Sequence, residues 1–215
     1  MERLQILGSL RSTYSRVVCM ACVEKGVDYV LVDTTLGHET LKAVHPFGRM
    51  PVMRHGDLAL FESKAIATYL DRRFAGPELI PSDPYRAGLT EQWVSLVNTT
   101  MDPILVRTYL LAYAFPNGPA GQPDRTVIDG VLPAVRTQID ALDRAVAATG
   151  HLAGDGFTFA DINLMPILDL LRLPPESAEA IAGTAHLSAY FTRHAARPSF
   201  LQTIPSGPPA PPKRT

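Results

Sequence analysis

The sequence predicts an α/β domain of order βαβαββα, followed by an all-α domain. Up to about residue 74, short apolar runs of strand length alternate with stretches of helical periodicity, whereas only helical periodicity follows residue 84. Between these regions, Ala75–Pro84 holds three prolines and one glycine, which is typical of a linker. We therefore expect one domain at residues 1–76, a second at 84–204, and a disordered proline-rich tail at 205–215.

The elements of the first domain each have a local signal. A short apolar run ends at Gly8, and apolar residues then recur every three or four positions from Tyr14 to Gly26. A His-Gly-Asp turn at 55–57 separates two short apolar runs, which predicts a hairpin. The predicted elements are strands at 4–8, 29–32, 51–53 and 58–61, and helices at 14–26, 39–44 and 65–74. The first two strands should be parallel, with a right-handed crossover through the helix.

The second domain shows helical spacing only. A long helix is predicted from Tyr85 towards Phe115, and Pro103 within it predicts a kink. A single apolar stripe predicts a helix over 128–146, with a local distortion at Pro133. Two further helices are predicted near 158–173 and 187–196. This all-α region should bury its apolar faces against one another.

Composition excludes several classes of function. The formal net charge is −1, so the chain lacks the basic surface of a nucleic-acid binder. No apolar run approaches the length of a membrane span, and the N-terminal residues lack the apolar core of a signal peptide. Cys19 and Cys22 lie well inside the predicted helix, so we interpret them as packing residues rather than a redox pair, which needs its first cysteine at a helix N-terminus. No second ligand pair suggests a zinc site, and we expect no metal.

Two short features predict a peptide-binding site. Pro51 opens a strand after Met50, and X-Pro bonds adopt the cis form at low cost, so the backbone beside it should be able to pair with an extended peptide. Glu62 and Ser63 stand where the last helix of the domain begins, and the free N–H groups there favour a carboxylate. Plain capping by Glu62-Ser63 and a plain strand start at Pro51 are the alternative interpretation.

Three segments carry a family resemblance. "HPFGRMPVMRHGDLALFESKAIATYL", from His45 to Leu70, resembles the glutathione-binding region of cytosolic glutathione transferases. "FTFADINLMPIL" resembles the helix-capping motif of the family's second domain, with Thr158 as N-cap and Asp161 as its partner, and "RPSF" resembles its usual ending. The Ser-x-x-x-Arg spacing from Ser12 resembles the serine-type classes, theta, delta and phi, in a bacterial-style member. The resemblance implies a thioredoxin-like first domain and the family's helical second domain.

The resemblance also implies roles for individual residues. Ser12 would be the catalytic hydroxyl that stabilises the glutathione thiolate, with helix capping as its ordinary alternative and with Tyr14 and Ser15 as competitors for the role. Two departures from the family's pattern are His45, where Asn is usual, and a shortened stretch before it. Arg49 stands where relatives carry Gln, Lys or Arg, with a solvated surface charge as the alternative interpretation. The glutathione-binding residues implied are His38, Arg49, Met50, Pro51, Glu62 and Ser63. The electrophile pocket, expected in a crevice between the domains, would use Tyr109 and Tyr113.

The function implied is transfer of glutathione, as co-substrate, to an apolar electrophile in a cytoplasmic homodimer with a role in detoxification. Two alternatives stay open. One is a glutathione-binding or ligand-binding protein without useful catalysis. The other is a glutathione-dependent isomerase or reductase, against which the absence of a Ser-Ser-Cys run and of a cysteine at position 12 counts. The electrophile itself is not indicated by the sequence.

Overall fold

A computed structural model describes residues 3–206, and the predicted tail lies outside them except for Pro205 and Ser206. The described residues cluster into two compact units, the first built from residues 3–82 and 195–206 and the second from 83–194. The elements of the first unit up to residue 82 are β1 (Leu4–Gly8), α1 (Thr13–Glu24), β2 (Tyr29–Asp33), α2 (Glu39–Lys42), β3 (Val52–His55), β4 (Leu58–Phe61) and α3 (Ser63–Arg73). The predicted order βαβαββα is confirmed.

The four strands form one mixed sheet in the order β2-β1-β3-β4. As predicted, β1 and β2 are parallel across α1, and β3 and β4 form an antiparallel hairpin. One register row crosses the whole sheet, because Leu7 lies opposite both Val32 and Val52, and Val52 lies opposite Phe61. Beside this row, Leu7 and Val52 pack with Leu41 of α2 in an apolar cluster. Burying each such side chain contributes about 1.5–3 kcal/mol, which holds this end of the sheet to α2.

The helices of the second unit follow the linker. They are α4 (Pro84–Leu96), α5 (Leu111–Ala114), α6 (Arg125–Val146), α7 (Phe159–Leu171), α8 (Pro175–Ala182) and α9 (His186–Ala195). The chain remains helical between α4 and α5, with wide π-type turns over Val97–Met101 and Pro103–Leu110. The irregularity predicted at Pro103 is therefore present on both sides of that residue, as expected where proline removes a helix hydrogen bond.

Two helices were not predicted. The first is α8, which begins with Pro175 in its first turn and ends next to Gly183. The second is the short α10 (Pro198–Leu201), which also begins with a proline and belongs to the first unit. Proline at the first helical position loses no hydrogen bond, so both prolines can start helices.

Asp161 has the structural role expected of it. Thr158 caps α7, and its side chain and that of Asp161 form a complete capping box. The buried Asp161 carboxylate also accepts hydrogen bonds from the Leu152 backbone at 2.8 Å and from the Tyr190 hydroxyl at 2.9 Å. Burial, and after it proximity to this carboxylate, raises the pKa of Tyr190 well above its ordinary value. Asp161 thus fixes α7, the loop before it, and α9.

Among residues 3–206, none of the helices has the length and apolar character needed to cross a bilayer.

Candidate functional site

The loops that carry the predicted site leave the same edge of the sheet. At the register row of Val32, Leu7, Val52 and Phe61, β3 begins and β4 ends. Past this row, β1 and β2 each continue for one residue. The chain next to this edge therefore includes the loop with Ser12, the loop before β3, and the start of α3 at Ser63. Segments far apart in sequence are brought to one side of the first unit by strand register alone.

Ser12 lies at the N-terminus of α1, where it is only partly buried. Its backbone is extended, its carbonyl accepts from the Arg16 N–H at 2.9 Å, and its Oγ accepts from the Ser15 N–H at 3.4 Å. The long second bond uses a lone pair of the hydroxyl and not its proton. Ser12 is therefore the helix cap, and its O–H can still donate to a ligand. No acidic residue stands in the first turn of α1 to oppose an anion there.

The competing hydroxyl of Ser15 is in a different environment. Ser15 is fully buried, and its Oγ has no hydrogen-bond partner. The oxygen packs against Gly8, since a Cβ on that glycine would lie 2.4 Å from it. A ligand sulfur has no access to a side chain in this position. Tyr14 is partly buried. Ser12 thus combines partial exposure with the helix terminus.

The Met50–Pro51 segment has the geometry predicted from its proline. The peptide bond between them is cis. The ladder between β1 and β3 ends at Val52, so Met50 lies beyond the last paired residue. Met50 is partly buried against the apolar cluster around Val52, whereas Pro51 is buried. The side chain of Met50 is thus fixed by packing.

Glu62 has an unusual backbone, which the sequence analysis missed. Its φ is 68° and ψ is 118°, and its side chain makes no capping hydrogen bond to α3. A non-glycine residue with positive φ costs about 1–3 kcal/mol and is retained only where its surroundings enforce it. The Glu62 carboxylate remains 71% exposed, while Ser63 beside it is 5% exposed. Glu62 thus occupies the N-cap position of α3 without a side-chain capping bond, and it presents an exposed carboxylate at the start of that helix.

His45, the departure from the family's pattern, packs beneath Glu62. It is 4% exposed, and its Nδ1 accepts from the Phe47 N–H at 3.0 Å. Its ring lies 4.8 Å from that of Phe61, and its Nε2 lies 3.6 Å from a Glu62 carboxylate oxygen. The sequence showed a histidine in place of asparagine but gave no sign of this contact. His45 thus joins the loop before β3 to the start of α3.

His38 and Arg49 are held near each other by the backbone. The Gly37 N–H donates to the Gly48 carbonyl at 3.0 Å, so the backbone that follows Gly37 starts close to the backbone that follows Gly48. Both His38 and Arg49 are exposed. His38 caps α2 through its Nδ1, which accepts from the Thr40 N–H at 3.2 Å, and its Nε2 remains for a ligand. The backbone hydrogen bond between Gly37 and Gly48 thus brings the chain at positions 38 and 49 close together.

The two tyrosines predicted for the electrophile pocket belong to one polar network of the second unit. Tyr109 is fully buried, and its hydroxyl donates to Ser177 and Glu176 at 3.2 Å. Tyr113 is partly buried and donates to Glu176 at 2.5 Å, while Arg125 donates to both. Burial, followed by the hydrogen bond to Glu176, raises the pKa of Tyr113. Only Tyr113 has surface that a small molecule could touch.

The pKa of Glu176 reports the strength of this network. Burial by itself would raise that pKa, but hydrogen bonds from Tyr113 and Arg125 outweigh burial and lower it to about 2. Glu176 is therefore ionised at neutral pH and holds both tyrosine hydroxyls. The face of Tyr113 is the part left for an apolar ligand.

Cys19 and Cys22 are packing residues, as predicted. Both are free and fully buried. Burial raises the pKa of Cys19 to about 11 and that of Cys22 still higher. Thiols with such pKa values are protonated at neutral pH and are poor nucleophiles.

One group of side chains in the described residues has metal-ligand chemistry. His151, Asp161 and His194 bring potential ligand atoms within 4.8 Å of one another. The two Asp161 oxygens, however, already accept four hydrogen bonds, from Leu152, Tyr190 and both donors of Thr158. This carboxylate has no lone pair directed at a cation, so the group is better described as a hydrogen-bonded cluster.

Comparison with known proteins gives consistent matches to both units. Models of the glutathione S-transferase N-terminal and C-terminal domains match residues 7–78 and 93–198. Glutathione S-transferase 3 of Zea mays is 34% identical over 206 residues, which cover 88% of this chain and 87% of the relative. The solved structure of a glutathione S-transferase III in apo form matches with a TM-score of 0.82 and 30% identity, covering 97% of this chain and 100% of the other. A transferase of Methylobacillus flagellatus with GSH bound matches with a TM-score of 0.80 and 25% identity, covering 94% and 100%.

Proposed function

Because this chain belongs to the glutathione S-transferase family, we propose that it transfers the glutathione thiolate to an apolar electrophile. The observation that carries this proposal is the register row across the sheet, which brings Ser12, Met50 and Ser63 to one edge. The fold and the match to both domain models agree with it. A non-catalytic binding protein and an isomerase or reductase are not favoured, since the relatives compared are named as transferases.

The tripeptide would lie along the sheet edge, with its backbone paired to Met50 beyond the last rung of the β1–β3 ladder. Its γ-glutamyl carboxylate would accept from Ser63 and from the free N–H groups of α3, an eleven-residue helix. The exposed Glu62 carboxylate would bind the ammonium group. His38 and Arg49 would bind the glycine carboxylate at the other end. Each charged group of glutathione thus meets a group of opposite charge or a hydrogen-bond donor.

Catalysis in this arrangement is stabilisation of an anion. A cysteine thiol has a pKa of about 8.5, and only the thiolate attacks. The Ser12 hydroxyl would donate to the sulfur while its oxygen keeps the bond from Ser15, and the N-terminus of α1 adds a favourable dipole. Lowering the thiol pKa by one unit takes about 1.4 kcal/mol, which one hydrogen bond to an anion supplies. Ser12 itself stays protonated throughout.

The electrophile would contact the second unit. We assign the contact to the partly buried Tyr113, with Tyr109 behind it, since the two rings are 5.5 Å apart in an edge-to-face arrangement. Glu176 and Arg125 would keep the Tyr113 ring in place. Replacing Tyr113 with Ala should therefore raise KM for the electrophile more than KM for glutathione.

Calorimetry with glutathione tests the binding site. Ser63→Ala and Glu62→Ala should each weaken binding by ~10-fold or more, because charge-assisted hydrogen bonds contribute roughly 1.5–3 kcal/mol. Glu179→Ala, at an exposed position of α8, is the matched control and should bind like the wild type. Wild-type affinity in both site variants, with the fold intact, would remove the site from the proposal.

We further propose a homodimer in a reducing compartment, the cytoplasm. Phe47 is 80% exposed next to the site loops, and burying such a side chain against a second copy is favourable. The free cysteines agree with a reducing environment. Phe47→Ser should shift the protein towards monomer in sedimentation equilibrium. An unchanged mass would exclude Phe47 from any dimer contact.

A further inference from the structure

The last ten described residues, Arg197–Ser206, pack along α1 and are called the C-terminal strap below. They contain α10 and belong to the same compact unit as β1, α1 and the sheet. The strap contacts α1 and the loop before it at three positions, which are 11, 16 and 24. These positions lie on both sides of Ser12.

The first anchor of the strap is at the C-terminal end of α1. Arg197 donates from Nε and one terminal nitrogen to the two oxygens of Glu24, at 2.8 and 2.7 Å. Ser199 donates to the same carboxylate at 2.5 Å. A bidentate arginine–carboxylate pair fixes orientation as well as distance. The beginning of the strap is therefore held in register with α1.

The second anchor is a buried arginine one turn after Ser12. Arg16 is 2% exposed, and its guanidinium lies 4.3 Å from the ring centroid of Phe200. It donates to the Thr203 hydroxyl at 3.4 Å and to the Phe200 carbonyl at 3.5 Å. The backbone N–H of the same Arg16 closes the first turn of α1 on the Ser12 carbonyl. Displacing this side chain would therefore pull directly on the turn that Ser12 caps.

The third anchor is on the other side of Ser12. Arg11, the preceding residue, donates to the Ser206 carbonyl at 2.8 Å. Ser12 consequently lies between two arginines, Arg11 and Arg16, whose side chains both donate hydrogen bonds to the strap. The hydrogen bond that the Ser12 Oγ accepts from the Ser15 N–H is 3.4 Å long, which by itself is weak support for a precise position.

We propose that the C-terminal strap positions the Ser12 hydroxyl for the glutathione sulfur, with Arg16, Arg11 and Thr203 as positioning residues. The proposal rests on the proposed function, because it acts through Ser12. A reacting group must be held within about 0.5 Å of its productive place, and its own supports must be fixed by packing and hydrogen bonds. Burying a guanidinium costs free energy unless its N–H groups are hydrogen-bonded. The buried Arg16 at this turn therefore indicates a need for directional hydrogen bonds, which an apolar side chain would not provide.

The test compares two variants that weaken the strap without touching glutathione. Thr203→Val removes the hydroxyl that accepts from Arg16 and keeps the side-chain shape. Arg11→Ala removes the exposed anchor at Ser206 and carries little risk to folding. Each should raise the pKa of bound glutathione by roughly 0.5–1 unit and lower kcat by ~3–10-fold, with Kd for glutathione within about twofold of wild type. The readout is thiolate absorbance titrated with pH, together with kcat.

The matched control is Thr192→Val in α9. Thr203 also donates to the Ser199 carbonyl at 2.7 Å, and Thr192 donates in the same way to the carbonyl of Ser188, four residues earlier, at 3.0 Å. Thr192→Val should leave the titration unchanged. The double variant Ser12→Ala/Thr203→Val should titrate like Ser12→Ala alone, because the strap has nothing left to position. Unchanged titration in both strap variants, with Ser12→Ala shifted, overturns the strap proposal alone. No shift with Ser12→Ala overturns the proposed role of Ser12 and the strap together.

Discussion

Replacing Asp161 with Ala should destabilise the protein far more than the loss of an ordinary helix cap. The carboxylate accepts from Leu152 N, Thr158 N and Tyr190 Oη at 2.8–2.9 Å, and from Thr158 Oγ1 at 3.3 Å. An ordinary cap is worth about 0.5–2 kcal/mol, whereas each hydrogen bond to a charged group is worth about 1.5–3. Three short bonds, less the cost of burying the carboxylate, give a loss of about 3–5 kcal/mol.

Urea unfolding monitored by circular dichroism measures this loss. Asp124→Ala is the matched control, because Asp124 caps α6 through bonds to Thr126 N and Val127 N only and is less buried. It should cost about 0.5–2 kcal/mol. Glutathione affinity of the folded fraction should be unchanged in both variants. A loss below about 1 kcal/mol for Asp161→Ala, or a catalytic defect without any loss of stability, would refute this account of the residue.

Two further predictions concern a glycine and a buried histidine. Gly8→Ala would place a Cβ 2.4 Å from Ser15 Oγ, so turnover should fall by ~10-fold or more as α1 shifts. Gly130→Ala, where the added Cβ meets nothing within 4 Å, is the control and should be neutral or stabilising. Equal turnover in the two variants would exclude the clash. Burial lowers the pKa of His194 below its ordinary 6.5, so its neutral form is favoured in the folded state. The contribution of His194 to the free energy of unfolding is therefore complete above about pH 6.5 and is lost as the pH falls, by up to about 1.4 kcal/mol per pH unit. Parallel profiles of stability against pH for wild type and His194→Gln would contradict this.

The sheet and the site edge were predictable because their signals are local. An apolar run ending at Gly8 and a hairpin turn at 55–57 specify the strands, and parallel β1 and β2 follow from the helix between them. Pro51 and the start of α3 at Ser63 then place the segments that we propose to bind the peptide. Each of these inferences needs only a few neighbouring residues.

Other features could not be predicted, because they depend on contacts between distant residues. Positive φ at Glu62 has no sequence signal in a non-glycine residue, and the contact of that residue with His45 spans a loop and a hairpin. The bond from Arg16 to Thr203 joins residues 187 apart. By contrast, α8 had a local signal that was overlooked, since Pro175 and Gly183 mark a helix start and end.

The central claim is that Ser12 lowers the pKa of bound glutathione, and titration of the thiolate absorbance tests it most directly. The wild-type complex should titrate below the ordinary thiol pKa of about 8.5, and Ser12→Ala should move the titration back towards that value. Affinity should be kept and turnover should fall ~10–100-fold, since one hydrogen bond supplies no more than a few kcal/mol. Tyr14→Phe and Ser15→Ala should titrate like the wild type. Identical titration curves for the wild type and Ser12→Ala would contradict the account.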